Sequence, residues 1–379
     1  LVAFRPWIGG EFVPFGFAQG RENWIYNMIR VGIVGFGYWG PNIVRCFSEL
    51  PGSKLTAVCD RSLERLIQIK DRYPSVHAFE DYEQMLSSGL IDAVVIATPT
   101  ASHFGLAKRA LENGLHVMVE KPLAETSEQC RELIEMAEAK ACTLFVGHVF
   151  LHSSPVVKLR EMIVAGELGR INYISSRRLN LGPVRRDVNA LFDLATHDIS
   201  MMLYLLGDRP IRVSCSGIDL LQPGNHDVCN LTMHFPENRM GMIHVSWLDP
   251  RKERVLTVVG DRKMAVYDDL EQEKIKIYDK GIVAPPSSGD FADFQISYRY
   301  GGSYSPFINE REPLKAECGD FIRCIAESQT PLTDGENGLA VVEVLEAANQ
   351  SLRQYGMPVA IDVDREGWNE TRALKRAAR

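Results

Sequence analysis

Arg30-Val-Gly-Ile-Val-Gly35-Phe-Gly-Tyr-Trp-Gly40 is the stretch on which the reading of this chain turns. Its first half is a short apolar run suited to a central parallel strand, and its second half spaces three glycines at the start of a helix. Gly35 permits a tight turn, Gly37 leaves room beside the backbone, and Gly40 lets the helix from Pro41 to Leu50 pack closely. Unpaired amides at a helix N-terminus attract phosphate. Gly35, Phe36, Gly37, Tyr38, Trp39 and Gly40 are therefore read as the cradle of a dinucleotide pyrophosphate.

A glycine loop alone is weak, and its surroundings strengthen it. Leu55-Thr-Ala-Val-Cys-Asp60 is a second apolar strand ending in a carboxylate that can accept hydrogen bonds from an adenosine ribose diol. Asp60 repels a 2′-phosphate and so favours NAD over NADP, although a guanidinium at Arg61 leaves that phosphate a partial place; the plainer alternative for Asp60 is a helix cap. His77 to Phe79, a helix from Asp81 to Ser88 and the apolar run Ile91 to Thr98 continue the alternation until Pro99. Thr98, Pro99, Thr100 and His103 thus fall at the carboxyl edge of a parallel sheet, where open α/β folds bind ligands. Thr98 and Thr100 are set to touch the dinucleotide, and His103 either caps the next helix or approaches a ribose.

The strand His116 to Glu120 delivers Lys121-Pro122 at its end. An ammonium there can hydrogen-bond an oxygen that is losing its proton. Glu120 is placed to pair with Lys121 or meet the nicotinamide ribose, and Pro122 is a candidate cis residue. A helix from Thr126 to Lys140 and a strand from Leu144 to Phe150 complete the first domain, with His148 at the domain boundary.

Beyond a strand over Arg170 to Arg178 lies a second dense cluster, Asn180-Leu-Gly-Pro-Val-Arg-Arg-Asp-Val-Asn189, leading into a helix with Asp193, His197 and Asp198. Asp193 and His197, four apart, stack on one helix face. A neutral imidazole is a natural base for an alcohol. In the resulting scheme His197 accepts the hydroxyl proton, Lys121 stabilises the oxygen, Asp193 holds a neighbouring hydroxyl, and hydride passes to the nicotinamide. Which of the three takes the proton stays open, because they titrate together. No metal is expected, since Asp198 faces a different side from His197 and Asp193. Arg177, Arg178, Arg185 and Arg186 in an acidic chain point to an anionic substrate. The substrate set is Lys121, His148, Arg177, Asn180, Arg185, Asn189, Asp193 and His197.

At 379 residues the chain exceeds one ordinary core, and the reading is two domains, 28–150 and 151–362, with a disordered extension over 1–27 and a peripheral tail over 363–379. A net charge of -7 argues against nucleic acid as a partner, and no apolar run reaches the length that spans a membrane. The eight cysteines form no CxxC pair and read as free thiols of a cytoplasmic protein. Alternating runs between Ile211 and Tyr278 indicate an antiparallel sheet with one face free for homo-oligomer packing, on which His244 and Trp247 read as core or interface. Residues Pro285 to Ser305 read as a loop with aromatic content that covers either the cleft or a neighbouring subunit.

From about Met28 to Asp362 the chain resembles the glucose-fructose oxidoreductase and inositol dehydrogenase (Gfo/Idh/MocA) family. Gly35 to Gly40, Ala97-Thr-Pro-Thr-Ala-Ser-His103, Glu120-Lys-Pro122 and Asp193-Leu-Ala-Thr-His197 stand in the family's order. The resemblance implies an α/β protein, with an N-terminal Rossmann domain followed by an α+β domain with a large open-faced, mainly antiparallel sheet, assembled as a homodimer or homotetramer. It carries catalysis to Lys121, Asp193 and His197. The run Arg178 to Asp198 is similar to enzymes that oxidise the C3 hydroxyl of UDP-linked N-acetylglucosamine or its uronic acid in polysaccharide biosynthesis, with Phe192 where a tryptophan is expected. A free-sugar or inositol dehydrogenase is the competing reading, and a dinucleotide-binding regulator without turnover is a third, disfavoured by retention of all three catalytic residues.

Overall fold

A computed structural model describes residues 28–182, 184–186, 188–283 and 297–362. The proposed extension and tail, 1–27 and 363–379, lie outside these. The N-terminal strands are β1 (Ile29–Val34), β2 (Ser53–Cys59), β3 (His77–Phe79), β4 (Ala93–Ile96), β5 (His116–Glu120) and β6 (Leu144–Gly147). They pair in parallel in the order β3-β2-β1-β4-β5-β6, the doubly wound arrangement that places a ligand crevice where β1 and β4 diverge. Their helices are α1 (Gly40–Glu49), α2 (Leu63–Arg72), α3 (Tyr82–Ser87), α4 (His103–Glu112) and α5 (Ser127–Ala139). Ser62, Asp81 and Thr126 cap α2, α3 and α5 by accepting an amide hydrogen three residues on. No side chain caps α1, so its first amides stay open above the glycine loop.

The second half adds α6 (Ser154–Val164), β7 (Ile171–Leu179), α7 (Thr196–Leu206), β8 (Arg212–Ile218), β9 (Val228–Phe235), β10 (Arg239–Ser246), β11 (Glu253–Gly260), β12 (Met264–Asp268), β13 (Ile275–Val283), β14 (Ser297–Tyr304), α8 (Pro313–Ala326), α9 (Gly335–Arg353) and β15 (Val359–Ala360). Nine strands pair in the order β14-β13-β12-β11-β7-β10-β9-β8-β15. The β7–β10 pair is parallel and the other pairs antiparallel, so the sheet is mixed at its centre. Burial alternates along β9 and β10, and the buried face packs on α6, α7 and α9.

Two boundaries differ from the sequence reading. Residues Ser297–Tyr304, read as part of a loop, form the edge strand β14, because their alternation is carried by tyrosines interrupted by glycines; residues 285–296 of that stretch lie outside the described residues. The domains are also not consecutive. Leu314, Cys318, Phe321 and Ile322 of α8 share a core with Ile33, Phe47, Val58 and Phe145 of the Rossmann half, and Leu339 and Val342 of α9 pack with Leu123 and Val146. The face of the parallel sheet that α1 leaves open needs an apolar cover, and the chain returns to supply it. All eight cysteines are free thiols, and only Cys142 is not buried. No described helix is long and apolar enough to cross a membrane.

Phe321 makes edge contacts with Phe47 at 6.4 Å and Phe145 at 5.5 Å. Phe321→Ala is expected to cost about 3–5 kcal/mol, as large-to-small changes in packed cores do. Chemical denaturation followed by fluorescence checks it: a wild-type midpoint in the variant would mean that α8 is not part of the Rossmann core.

Candidate active site

Gly35 has φ +95, and a Cβ there would meet the Ala97 carbonyl oxygen at 2.5 Å. A Cβ on Gly40 would lie 2.3 Å from the Gly35 carbonyl oxygen, whereas one on Gly37 would have only Arg65 Nη1, 4.0 Å away, for company. The first and third glycines are thus required by the protein's own packing and the second faces open space, the division of labour that a pyrophosphate cradle needs. Tyr38 is 96% exposed at the loop's tip. Asp60, at the end of β2, accepts the Phe36 amide hydrogen at 2.6 Å and the Ser62 amide hydrogen at 2.8 Å. These residues fit a dinucleotide, with Asp60 at the adenosine ribose.

At the Thr98-to-His103 corner, His103 is 1% exposed, and its ring nitrogens lie 2.8 Å from the Pro122 carbonyl oxygen and 2.9 Å from that of Thr98. A neutral imidazole carries one N–H and donates to one of the two, which ties the ring to a loop backbone at the carboxyl edge of the sheet. Thr98 Oγ1 shares a hydrogen bond of 2.7 Å with Ser102 Oγ, and Thr100 is buried beside exposed Pro99.

Lys121 follows β5, and the Lys121–Pro122 peptide is cis. Its Nζ donates to the main-chain carbonyl oxygen of Asp193 at 2.9 Å, across 72 residues of sequence. Residues Leu191–Ala195 form a π-helical turn ahead of α7, not the α-helix expected there. Such turns recur at functional sites because they re-aim carbonyls and side chains. Here the Asp193 carbonyl receives Lys121, and the Phe192 carbonyl receives Thr196 Oγ1. The Asp193 carboxylate accepts from Arg185 Nη1 at 3.2 Å and from Trp247 Nε1 at 3.1 Å. It is therefore anchored by a cation and an indole, and does not pair with His197. Asn189 Oδ1 caps the turn at the Phe192 amide, 3.0 Å away.

His197 lies edge-on to Phe150 at 5.0 Å between ring centroids, and its Nδ1 is buried without a hydrogen-bond partner. Burial, then the charge of Lys121, pushes its pKa well below that of an ordinary imidazole, so the ring is neutral. Both nitrogens of His148 are likewise buried and unpartnered, and burial lowers it to about 3. Burial also lowers Lys121, against the pull of Asp193 and Glu120. Glu120 bonds the Lys121 amide at 3.3 Å and takes a hydrogen bond from Trp39, yet burial raises it to about 7.

The arginine cluster divides. Arg178 and Asp198 form a buried ion pair at 2.6 Å, with Ser176 on the same carboxylate. Arg177, on the opposite face of β7 from Arg178, pairs with Glu253 at 3.2 Å, because adjacent strand residues face opposite ways. Arg186 is exposed, whereas Arg185 reaches Asp193 and Arg178 lies over the Phe150 ring at 4.6 Å, beside His197. Asn180 bonds the Ser246 carbonyl through its main chain, with its side-chain amide close to Gly182.

Trp247 and Glu317 escaped the sequence reading. Trp247 was read as core or interface, and its indole N–H required a buried acceptor, which is Asp193. Glu317 stands among Leu314, Cys318 and Phe321 on the buried stripe of α8, a charged residue at an apolar helical position and hence a legible signal. It is 0% exposed, both carboxyl oxygens lack a partner, and burial followed by the neighbouring Glu120 raises it well above the carboxylate range.

Folded Glu120 and Glu317 hold protons that the unfolded chain releases above its ordinary carboxyl pKa of 4.5, so each removes stability as pH rises, for Glu120 up to about 7. Glu317→Gln cannot ionise. The variant is expected to gain thermal stability relative to wild type as pH rises from about 5 to about 8; parallel melting curves at the two pH values would refute the buried acid pair.

The comparisons agree with this geometry. A model described as an oxidoreductase family with an NAD-binding Rossmann fold matches residues 29–148, and the Gfo/Idh/MocA C-terminal domain matches residues 156–266. The chain is 26% identical over 315 residues to the UDP-N-acetylglucosamine 3-dehydrogenase of Acidithiobacillus ferrooxidans, covering 83% of this chain and 94% of that protein. It is 26% identical over 355 residues to the scyllo-inositol 2-dehydrogenase (NAD(+)) of Bacillus subtilis, covering 89% and 98%. A solved structure of the Acidithiobacillus enzyme shares the fold with a TM-score of 0.73 at 24% identity, over 86% of this chain and 98% of that one. With both halves matched and the dinucleotide cradle in place, the chain belongs to the Gfo/Idh/MocA family of NAD-dependent oxidoreductases.

Proposed function

We propose that the protein oxidises the C3 hydroxyl of a nucleotide sugar of the UDP-N-acetylglucosamine type or its uronic acid. The observation that carries this reading is the convergence of the Lys121 amine on the turn that bears Asp193 and leads into α7 with His197, with Arg185 on the Asp193 carboxylate. Bound NAD supplies the hydride acceptor. Gly35 to Gly40 and Asp60 would hold its diphosphate and ribose, with Thr98 and Thr100 as the residues of the β4 edge that would meet it.

Neutral His197 accepts the hydroxyl proton through a free nitrogen lone pair. Lys121 donates to the same oxygen as negative charge develops on it, in a cleft whose low polarity strengthens the contact. Asp193, fixed by Trp247 and Arg185, holds a neighbouring hydroxyl. The guanidinium of Arg185, beside Asp193, is of the type that suits a diphosphate or carboxylate. The similarity to a UDP-N-acetylglucosamine 3-dehydrogenase over most of the chain supports this choice, and the equal identity to an inositol dehydrogenase defines the competitor.

The substrate test is NADH formation with UDP-N-acetylglucosamine, its uronic acid, glucose and myo-inositol, run in parallel with 2-oxoglutarate to detect turnover when NADH stays bound. The UDP-sugars are expected to turn over, and preference for inositol or glucose would overturn the assignment. Lys121→Ala and His197→Ala are expected to lose about 10²–10⁴-fold in rate while keeping cofactor binding; full activity in both would discard the mechanism.

The pH profile follows from the same groups. His197 must be neutral and Lys121 charged, so kcat/KM is expected to fall on the acid side only below the ordinary imidazole value of 6.5 and on the alkaline side before 10.5. An acid limb at or above that imidazole value would remove His197 as the base. Exposed Tyr173 on β7 and Tyr298 and Tyr300 on β14 support assembly as a homodimer or homotetramer through the open sheet; a monomer in analytical ultracentrifugation would contradict it.

A further inference from the structure

The adenosine end of the dinucleotide site holds a cation that the scheme above does not use. Asp60 is 8% exposed, with one oxygen on the Phe36 amide and the other on the Ser62 amide. Arg65 Nη1 lies 3.3 and 3.5 Å from these same two oxygens. Ser62 caps α2 by accepting from the Arg65 amide at 3.4 Å, which sets the first turn of α2 so that Arg65 reaches back over the carboxylate. The same Nη1 is the one atom near the open side of Gly37. The Arg65 side chain is 48% exposed, so it stands half in solvent at the rim of the loop. Arg61 is exposed and makes no hydrogen bond to Asp60 among the described residues.

A carboxylate alone at this position repels a 2′-phosphate. A carboxylate already paired with a half-exposed guanidinium repels it less, and the guanidinium's planar fork matches a phosphate with two parallel donors. A ribose diol, being neutral, needs only the carboxylate acceptors. We propose that Arg65 is the cofactor-discriminating residue of this chain: paired with Asp60 it leaves the site open to the NAD diol, and turned outward it receives the 2′-phosphate of NADP, so both dinucleotides bind. This deepens the dinucleotide reading and is independent of which sugar is oxidised.

Equilibrium titration of the full chain with NAD and NADP, followed by calorimetry and with ADP and 2′,5′-ADP as minimal probes, tests this without any sugar. Wild type is expected to bind NADP measurably, with NAD the tighter. Arg65→Gln is expected to weaken NADP and 2′,5′-ADP by about tenfold or more while NAD and ADP change by less than about threefold, the difference expected for one lost charge-assisted contact. Arg61→Gln is expected to leave both within that smaller range. Asp60→Asn is expected to reverse the preference by weakening NAD and sparing NADP. The proposal falls if wild type binds NAD but not NADP, if Arg61→Gln produces the loss instead, or if Arg65→Gln weakens both dinucleotides equally. Failure to bind either dinucleotide would overturn it together with the cofactor assignment, while discrimination without sugar turnover would leave it standing and remove the substrate assignment.

Discussion

The hydrogen bond from Lys121 Nζ to the carbonyl of Asp193 joins the two halves of the molecule at the point where chemistry is proposed. Lys121 is carried by the end of a parallel strand, and Asp193 by a π-helical turn on the other side of the cleft. Neither element alone holds an amine, an imidazole and a carboxylate within reach of one hydroxyl. The cofactor crevice and the proton chemistry become one site because that bond, and the shared packing of α8 and α9 behind it, hold the halves in register.

Desolvation governs the charge state of almost every group around that bond. It lowers His148, His197 and Lys121 and raises Glu120 and Glu317, in each case favouring the neutral form. Three carboxylates of the region have fixed cationic partners: Asp193 with Arg185, Asp198 with Arg178, Asp60 with Arg65. A neutral base beside an amine in a dry cleft is a suitable place to take a proton from an alcohol, because few solvent dipoles compete for the developing charge.

The arginines show how one residue type separates into unlike roles through strand geometry. Arg177 and Arg178 are adjacent in sequence and point to opposite faces of β7. One is paired with a buried aspartate and lies over the Phe150 ring, the other pairs with Glu253 on the far side, and Arg185, on the connection after β7, reaches Asp193. A cluster counted along the chain was therefore an overcount of cations available to an anionic substrate. His103 shows a related limit: its position at the carboxyl edge of the sheet was legible, but the main-chain carbonyls of Pro122 and Thr98 beside its ring nitrogens were not.

Period-two alternation, glycine spacing and a carboxylate closing the second strand were sufficient to read a Rossmann half and a broad second sheet, because these signals are local and backbone geometry repeats them faithfully; the strand end at Lys121 and the four-residue spacing of Asp193 and His197 marked those three as candidates. Even Glu317 left a local trace, a carboxyl on the buried stripe of a helix. What depended on the folded molecule was everything set by contacts distant in sequence: the return of α8 and α9 to the first half, the π-turn that aims the Asp193 carbonyl at Lys121, the Trp247 indole on Asp193, and Arg65 over Asp60. The pattern of apolar residues states which face of an element is buried, but which partner buries it, and where a polar side chain then finds its hydrogen bond, is decided only when the whole chain packs.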